Sequence, residues 1–78
     1  MIMPCFVAAI NSNGEPSFYF VKIDCTQEQF DNGNHYDAAM QKARDEGYEP
    51  HLAYDAVDAA GKAAMKLFEW HTADIVQI

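Results

Sequence analysis

The chain has 78 residues, half of them hydrophobic, and its 12 acidic and 5 basic side chains give a formal charge of −7. This composition excludes a disordered tail, and the acidic excess disfavours direct binding to nucleic acid or to anionic lipid, because their phosphate groups would repel the chain. A single domain over residues 1–78 buries only about 60% of the surface that its unfolded form exposes, so we expect no deep active site and no enzyme.

Two runs of apolar residues, 3–10 and 17–24, open the sequence and are predicted to be strands. The Asn13-Gly14 pair between them predicts a tight turn, and hence a β-hairpin. Side chains of the second run alternate between two faces, either of which can be the exposed one. One face carries Phe18 and Phe20, and the other carries Tyr19, Val21 and Ile23.

The two cysteines are predicted to be reduced thiols. Folding the hairpin about its turn places Cys5 opposite Lys22, and Cys25 then lies about three residues, or roughly 10 Å, further along the strand. That separation is too large for a disulfide. The sequence starts without a charged segment followed by a long apolar stretch, and no apolar run approaches the roughly 18 residues that a membrane span needs. We therefore expect a cytoplasmic protein.

A helical region is predicted to follow the hairpin. The segment from Thr26 to Gln29 has the pattern of a capping box, so a helix is expected to begin there. The poor helix formers at residues 32–34 either break this helix, with a restart at His35, or weaken its middle. An apolar stripe then runs to Gly47, where the helix is expected to end. The stripe consists of Tyr36, Ala39, Met40 and Ala43.

Residues 50–69 are predicted to form a long, alanine-rich helix that begins at Pro50, whose missing N–H is not needed in a first helical turn. Gly61 within it could mark a close backbone contact. Residues 74–78 are predicted to be a final strand, which could pair beside the first. The predicted fold is therefore α+β, in the order ββααβ, with two helices packed on one face of a three-stranded sheet. The other face is a candidate surface for self-association.

No motif for catalysis or cofactor binding is found in the sequence. The four glycines fit no phosphate-binding pattern, and residues 31–42 do not place glycine and glutamate where a calcium loop needs them. The histidines and cysteines lack the spacing of a zinc site, and we interpret them as surface histidines and buried thiols. We therefore predict no catalytic residue, no metal and no cofactor.

Acidic side chains concentrate in residues 28–58, which hold eight acids and two bases, whereas the rest of the chain holds four acids and three bases. This segment is either an ordinary solvated surface or a surface that meets a basic groove, where carboxylates take the place of phosphates. The acids are Glu28, Asp31, Asp37, Asp45, Glu46, Glu49, Asp55 and Asp58. The aromatic residues near acids, which are either contact residues or ordinary helix-edge residues, are Tyr36, Tyr48, Tyr54 and Trp70.

Small size, free thiols and acidity together resemble small phage or mobile-element proteins that inhibit host defence, including anti-CRISPR proteins. The resemblance implies a non-enzymatic inhibitor that blocks a larger, nucleic-acid-handling partner with a basic surface by charge mimicry, without touching nucleic acid or membrane itself. Two alternatives remain open. One is a homodimeric structural or adaptor domain that uses the exposed sheet face. The other is a ligand-binding protein or enzyme whose site lies at a dimer interface.

Overall fold

The computed structural model describes residues 1–66 and 73–78. In these residues the chain forms four strands and three helices. The elements are β1 Ile2–Ile10, β2 Pro16–Asp24, α1 Gln27–Asp31, α2 Asn34–Asp45, β3 Glu49–Asp55, α3 Ala59–Met65 and β4 Ile75–Gln77. The predicted α+β class is confirmed, but the three-stranded ββααβ arrangement is wrong, because a four-stranded mixed sheet forms in the order β3-β1-β2-β4. None of these helices is long and apolar enough to cross a membrane.

The predicted β-hairpin is confirmed, although its register differs by one residue. β1 and β2 pair antiparallel, with Cys5 opposite Val21 rather than Lys22. The side-chain oxygen of Asn11 stabilises the turn, because it accepts two hydrogen bonds of 3.0 Å from backbone N–H groups. Cys5 and Cys25 are both free and buried, so the prediction of free thiols is also confirmed.

The capping box predicted at Thr26 is confirmed. Its hydroxyl oxygen accepts a hydrogen bond of 3.1 Å from the backbone N–H of Gln29, and the Gln29 side chain accepts one of 2.8 Å from the backbone N–H of Thr26. Of the two outcomes expected for residues 32–34, the break occurs. Gly33 takes a left-handed conformation with φ 75°, and α2 begins at the next residue. Gly47, with φ 91°, lies just beyond the end of α2, as predicted.

The helix predicted over residues 50–69 is wrong in its first part, because Glu49–Asp55 forms strand β3 and pairs antiparallel with β1. The alanine-rich pattern lies in residues 53–64, whereas Glu49–Asp55 contains a single alanine, so backbone pairing with β1 decides the conformation of this segment. The edge position of β3 tolerates Pro50, which lacks a backbone donor. A helix forms only later, as α3, and the predicted residues 67–69 lie outside the described residues.

The last strand does not pair beside β1, because both edges of β1 are already bonded to β2 and β3. β4 instead pairs parallel with β2, with Ile75 opposite Lys22. Backbone hydrogen bonds hold it there. The Lys22 N–H donates to the Asp74 carbonyl at 2.9 Å, and the Ile78 N–H donates to the Asp24 carbonyl at 3.0 Å.

The core lies between α2 and one face of the sheet. From the helix it takes only two small fully buried apolar side chains, Ala39 and Ala43, so α2 lies close to the strands. The buried apolar cluster consists of Met3, Cys5, Val7, Ala9, Val21, Ile23, Cys25, Ala39 and Ala43. The alternate strand residues point away from α2, to what we call the outer face. Its main residues are Phe6, Ala8, Phe18, Phe20, Leu52, Tyr54 and Ile75.

α3 approaches the end of β3 so closely that Gly61 is required. A Cβ atom at this position would overlap the backbone carbonyl oxygen of Asp55. Because glycine has no Cβ, it is the residue that permits this contact. The close backbone contact suggested at Gly61 by the sequence is therefore confirmed.

We expect Gly61→Ala to lower the free energy of unfolding by about 1–3 kcal/mol, because the strain of the added methyl group exceeds the roughly 1 kcal/mol that alanine gains in helix propensity. Urea denaturation followed by circular dichroism measures this difference. Lys62→Ala, an exposed neighbour on the same helix, is the control and should change stability by less than about 0.5 kcal/mol. A Gly61→Ala protein as stable as wild type would contradict the close contact.

Candidate functional site

A buried carboxylate, that of Asp55, lies between α2 and the end of β3. Asp55 is 3% exposed, and His35, in the first turn of α2, is 1% exposed. The Oδ2 atom of Asp55 lies 2.9 Å from Nε2 of His35 and accepts a 2.7 Å hydrogen bond from the hydroxyl of Tyr36. Because the partners lie about 20 residues apart in sequence, these contacts fix α2 against β3.

The second oxygen of Asp55 organises the segment that leads to α3. Oδ1 accepts hydrogen bonds from the backbone N–H groups of Val57 at 2.9 Å and Asp58 at 3.0 Å. An aspartate often forms such a local turn with the residues that follow it. The Ala56 N–H in the same segment donates to the carbonyl of Pro4 at 3.1 Å. One carboxylate therefore joins a helix, a strand end and a turn.

Burial and hydrogen bonding have opposite effects on the pKa of Asp55. Burial raises it, whereas hydrogen bonds from His35, from Tyr36 and from the backbone N–H groups of Asp58 and Val57 lower it. The net pKa lies below the ordinary value of 3.8, so the carboxylate is ionised at neutral pH. Burial, followed by the hydrogen bond to Asp55, raises the pKa of Tyr36 to about 12. Tyr36 is therefore a neutral donor.

His35 was interpreted as a surface histidine, and that interpretation is wrong. Its ring is stacked on that of Phe30, with centroids 4.7 Å apart, and lies tilted against that of Tyr36, with centroids 4.0 Å apart. Its buried Nδ1 atom has no hydrogen-bond partner within the part of the chain that the structure describes. The sequence does contain a signal for this burial, because His35 lies one and two helical turns before Ala39 and Ala43, on the same face of α2.

The cysteine beside this carboxylate is not arranged as a nucleophile. Cys5 lies opposite Asp55 in the sheet and is fully buried. Burial, then the charge of Asp55 and then Cys25 raise the pKa of the Cys5 thiol to about 12. Because the reactive form of cysteine is the thiolate, the burial of Cys5 and its raised pKa both disfavour reaction at this thiol. The described residues also contain no group of three or more His, Cys, Asp or Glu side chains that could hold a metal ion.

Seven of the eight acidic residues expected to form a contact surface are exposed. Asp55 is the exception, because its carboxylate is enclosed and committed to internal hydrogen bonds. A count of charges along the sequence cannot separate such a buried acid from a solvated one. The exposed acids are Glu28, Asp31, Asp37, Asp45, Glu46, Glu49 and Asp58.

Part of the acidic charge on α2 is neutralised locally. The Lys42 ammonium lies 2.8 Å from the Glu46 carboxylate, and the Gln41 amide donates to Asp45 at 3.0 Å. Arg44 extends toward the same Gln41, at 3.5 Å. The other exposed acids lie on α1, in the first turn of α2, at the start of β3 and before α3. They form a diffuse negative surface and not a single row of carboxylates.

The aromatic residues expected to accompany the acids have separate structural roles. Tyr36 bonds the buried carboxylate, Tyr48 packs against the edge of the core, and Tyr54 lies on the outer face of the sheet. Trp70 lies outside the described residues. Tyr36, Tyr48 and Tyr54 therefore do not form one common contact surface.

The outer face of the sheet is built around Phe6, which is only 4% exposed. Its ring centroid lies 5.6 Å from that of Phe18, 5.9 Å from that of Phe20 and 4.7 Å from that of Tyr54. Phe18 and Phe20 make further interactions as well. Phe18 nevertheless remains 47% exposed, and Leu52 is 53% exposed. This face therefore combines a packed aromatic centre with an apolar rim in contact with solvent.

A shallow apolar groove of about 370 Å³ lies at the hairpin end of the outer face. The register of β3 against β1 shifts here, between Ala8 and Ala9, and such a bulge changes the direction of nearby side chains. The groove is lined by Ala8, Ala9, Ile10, Pro16, Ser17, Phe18 and His51.

Replacing Asp55 with Asn removes the charge and retains the shape. We expect Asp55→Asn to lower the free energy of unfolding by about 3 kcal/mol, because buried donors lose an ionised acceptor. Asp31→Asn is the control, since Asp31 is exposed and accepts its hydrogen bond from Gln27 at the surface. That variant should lose less than about 0.5 kcal/mol. Equal stabilities in urea denaturation would contradict the structural role of Asp55.

The lowered pKa of Asp55 also predicts how stability depends on pH. A carboxyl group whose pKa is lower in the folded chain stabilises the fold above its unfolded pKa, and this contribution is lost as pH falls through the folded pKa. The stability difference between wild type and Asp55→Asn should therefore be constant near neutral pH and shrink below pH 3.8. Denaturant titrations of both proteins at neutral and acidic pH measure this difference in the free energy of unfolding. A difference that stays the same in acid would contradict the prediction.

Comparison with known proteins finds no relative of this chain: no protein-family model, no curated protein and no solved structure matches it.

Proposed function

We propose that this chain is a non-catalytic inhibitor whose acidic surface binds a larger, basic, nucleic-acid-handling protein. The exposure of seven of the eight acids in residues 28–58 supports this proposal most directly. A solvated carboxylate can attract a distant cation without first being desolvated. In size and acidity the chain resembles small phage and mobile-element proteins that inhibit host defence, including anti-CRISPR proteins.

The arrangement of the acidic residues favours binding by long-range electrostatic attraction. It does not favour binding in which carboxylates are spaced like the phosphates of a nucleic acid. The exposed carboxylates come from several elements, and Lys42 neutralises one of them on α2. Dispersed charges of one sign accelerate encounter with an oppositely charged surface. Salt weakens this effect, because the Debye length is only about 8 Å at physiological ionic strength. A basic protein surface therefore fits this charge, whereas free nucleic acid is repelled by it.

The burial of the polar residues around Asp55 supports a non-catalytic role. Cys5, His35 and Asp55 lie together beside the end of β3, and each is at most 3% exposed. A substrate could reach them only if the sheet and α2 separated. The cluster is therefore explained by its contribution to the fold.

Charge reversal on α2 tests the acidic surface. Asp45→Lys reverses one exposed carboxylate on the helix, while Glu15→Lys makes the same change in net charge at the exposed hairpin turn. We expect Asp45→Lys to weaken partner binding about tenfold and Glu15→Lys to have little effect. Asp55 is left intact, because reversal of a buried charge would unfold the protein.

The partner is first captured from a lysate of the source cells on immobilised wild-type protein and eluted with stepwise salt. The captured protein is then purified and titrated with each variant at low and moderate salt, in competition with DNA or RNA. The proposal requires binding that weakens with salt and excludes the nucleic acid. Equal affinities of the Asp45→Lys and Glu15→Lys variants, or binding that is insensitive to salt, would refute it.

A further inference from the structure

β3 lies at one edge of the sheet, where it pairs with β1 alone among the described strands. Successive residues of an antiparallel strand direct their backbone N–H and C=O groups to opposite sides. The Ala56 N–H donates to the Pro4 carbonyl at 3.1 Å, so Ala56 faces β1. Because the direction alternates, Asp55 and Ala53 direct their backbone groups away from β1, toward the open edge. Groups of this kind are a template for a further strand.

The first half of this edge is poorly suited to pairing with a further strand. Pro50 has no backbone N–H to donate. The register against β1 shifts between Ala8 and Ala9, which leaves no β1 residue opposite His51. Such a bulge bends the strand and interrupts its regular hydrogen bonding. Proline and bulges are two devices by which natural sheets limit pairing at an edge.

Helix α3 covers the second half of the edge. The backbone carbonyl of Asp55 points away from β1, and Gly61 is buried against it, so closely that a Cβ atom on Gly61 would overlap the carbonyl oxygen. A strand paired with Asp55 would need this carbonyl as an acceptor and would lie about 4.8 Å from β3. The backbone of α3 already occupies that space.

Hydrogen bonds at its first turn hold α3 in this position. The Asp58 carboxylate accepts a hydrogen bond of 2.8 Å from the Ala60 N–H, and the Asp58 carbonyl accepts one of 2.8 Å from the Lys62 N–H. Asp58 thus caps the start of the helix. The Asp58 N–H in turn donates to the buried Asp55 carboxylate. The residue whose carbonyl α3 covers therefore also fixes the turn from which α3 begins.

We propose that α3 is a strap that closes the edge of β3 to strand pairing with a second copy of this chain. Ala53 presents both a donor and an acceptor at the edge, so it is complementary to itself across a twofold axis. Pairing Ala53 with its counterpart would place Asp55 of one copy opposite His51 of the other. α3 blocks this arrangement, because it occupies the space beside Asp55. The strap acts at the sheet edge and does not depend on the proposed inhibitor function.

Gly61→Ala tests the strap, because the added methyl group displaces α3 from the Asp55 carbonyl. Ala39→Gly is the control, since it destabilises the buried side of α2 through its helix propensity and leaves α3 in place. Sedimentation velocity measures both variants and wild type from about 5 to about 500 μM. We expect Gly61→Ala to self-associate at about tenfold lower concentration than either of the others. Equal association of the two variants overturns the proposal.

Urea denaturation and circular dichroism check that both variants are folded. If Gly61→Ala is not, Asp58→Ala replaces it, because loss of the cap loosens α3 without adding atoms. A folded Asp58→Ala chain that associates no more strongly than wild type likewise overturns the proposal.

Ala53→Pro locates the contact. This substitution removes the N–H that points to the open edge and leaves the hydrogen bonds between β3 and β1, and an edge strand tolerates proline at such a position. We expect Gly61→Ala combined with Ala53→Pro to associate no more strongly than wild type. Amide hydrogen exchange gives a second readout, because the Ala53 N–H should exchange more slowly in associated Gly61→Ala than in monomeric wild type. A double variant that associates as strongly as Gly61→Ala, or an Ala53 N–H that is not protected on association, overturns the proposal.

Discussion

The need to keep one buried carboxylate ionised determines how the layers of this protein meet. Asp55 is almost fully enclosed, and an isolated charge in such a position would cost several kcal/mol. The cost is offset because hydrogen bonds from His35, Tyr36 and two backbone N–H groups converge on its two oxygens. α2, the end of β3 and the turn before α3 cannot move independently of one another, because the loss of any of these donors would leave the charge of Asp55 less compensated. The position of α2, the end of β3 and the turn before α3 are therefore set together.

Several small residues follow from this constraint. Gly33 directly precedes α2. The first turn of that helix therefore places His35 and Tyr36 beside the carboxylate of Asp55. Ala39 and Ala43 keep the helix close enough to the sheet for those donors to reach it. Gly61 allows α3 to lie against the backbone of the same aspartate. These small residues therefore allow the hydrogen bonds of Asp55 to form, in addition to their effects on helix propensity and apolar packing.

The sequence predicted features whose causes are local. The turn before β2, the capping box at Thr26 and the end of α2 at Gly47 each depend on a few neighbouring residues, and each is present. The strand at residues 49–55 was missed, because the helical pattern of the alanine-rich residues that follow was extended back to Pro50 and because its partner, β1, lies about 45 residues earlier in the chain. The same error misplaced Asp55, since on a helix its carboxylate would be one more exposed acid. Both errors have the same cause, because the pairing of β3 with β1 is a long-range contact that a local sequence pattern does not encode.

From the sequence, the exposed face of the sheet could be predicted only as one of two alternatives. Alternation along β2 identified its two faces but not which of them α2 would cover, and the buried carboxylate decides this. His35 and Tyr36 reach Asp55 only if α2 lies on the Asp55 side of β3, which leaves Phe18 and Leu52 on the other side. The contact that stabilises the interior therefore also separates the acidic surface from the apolar one.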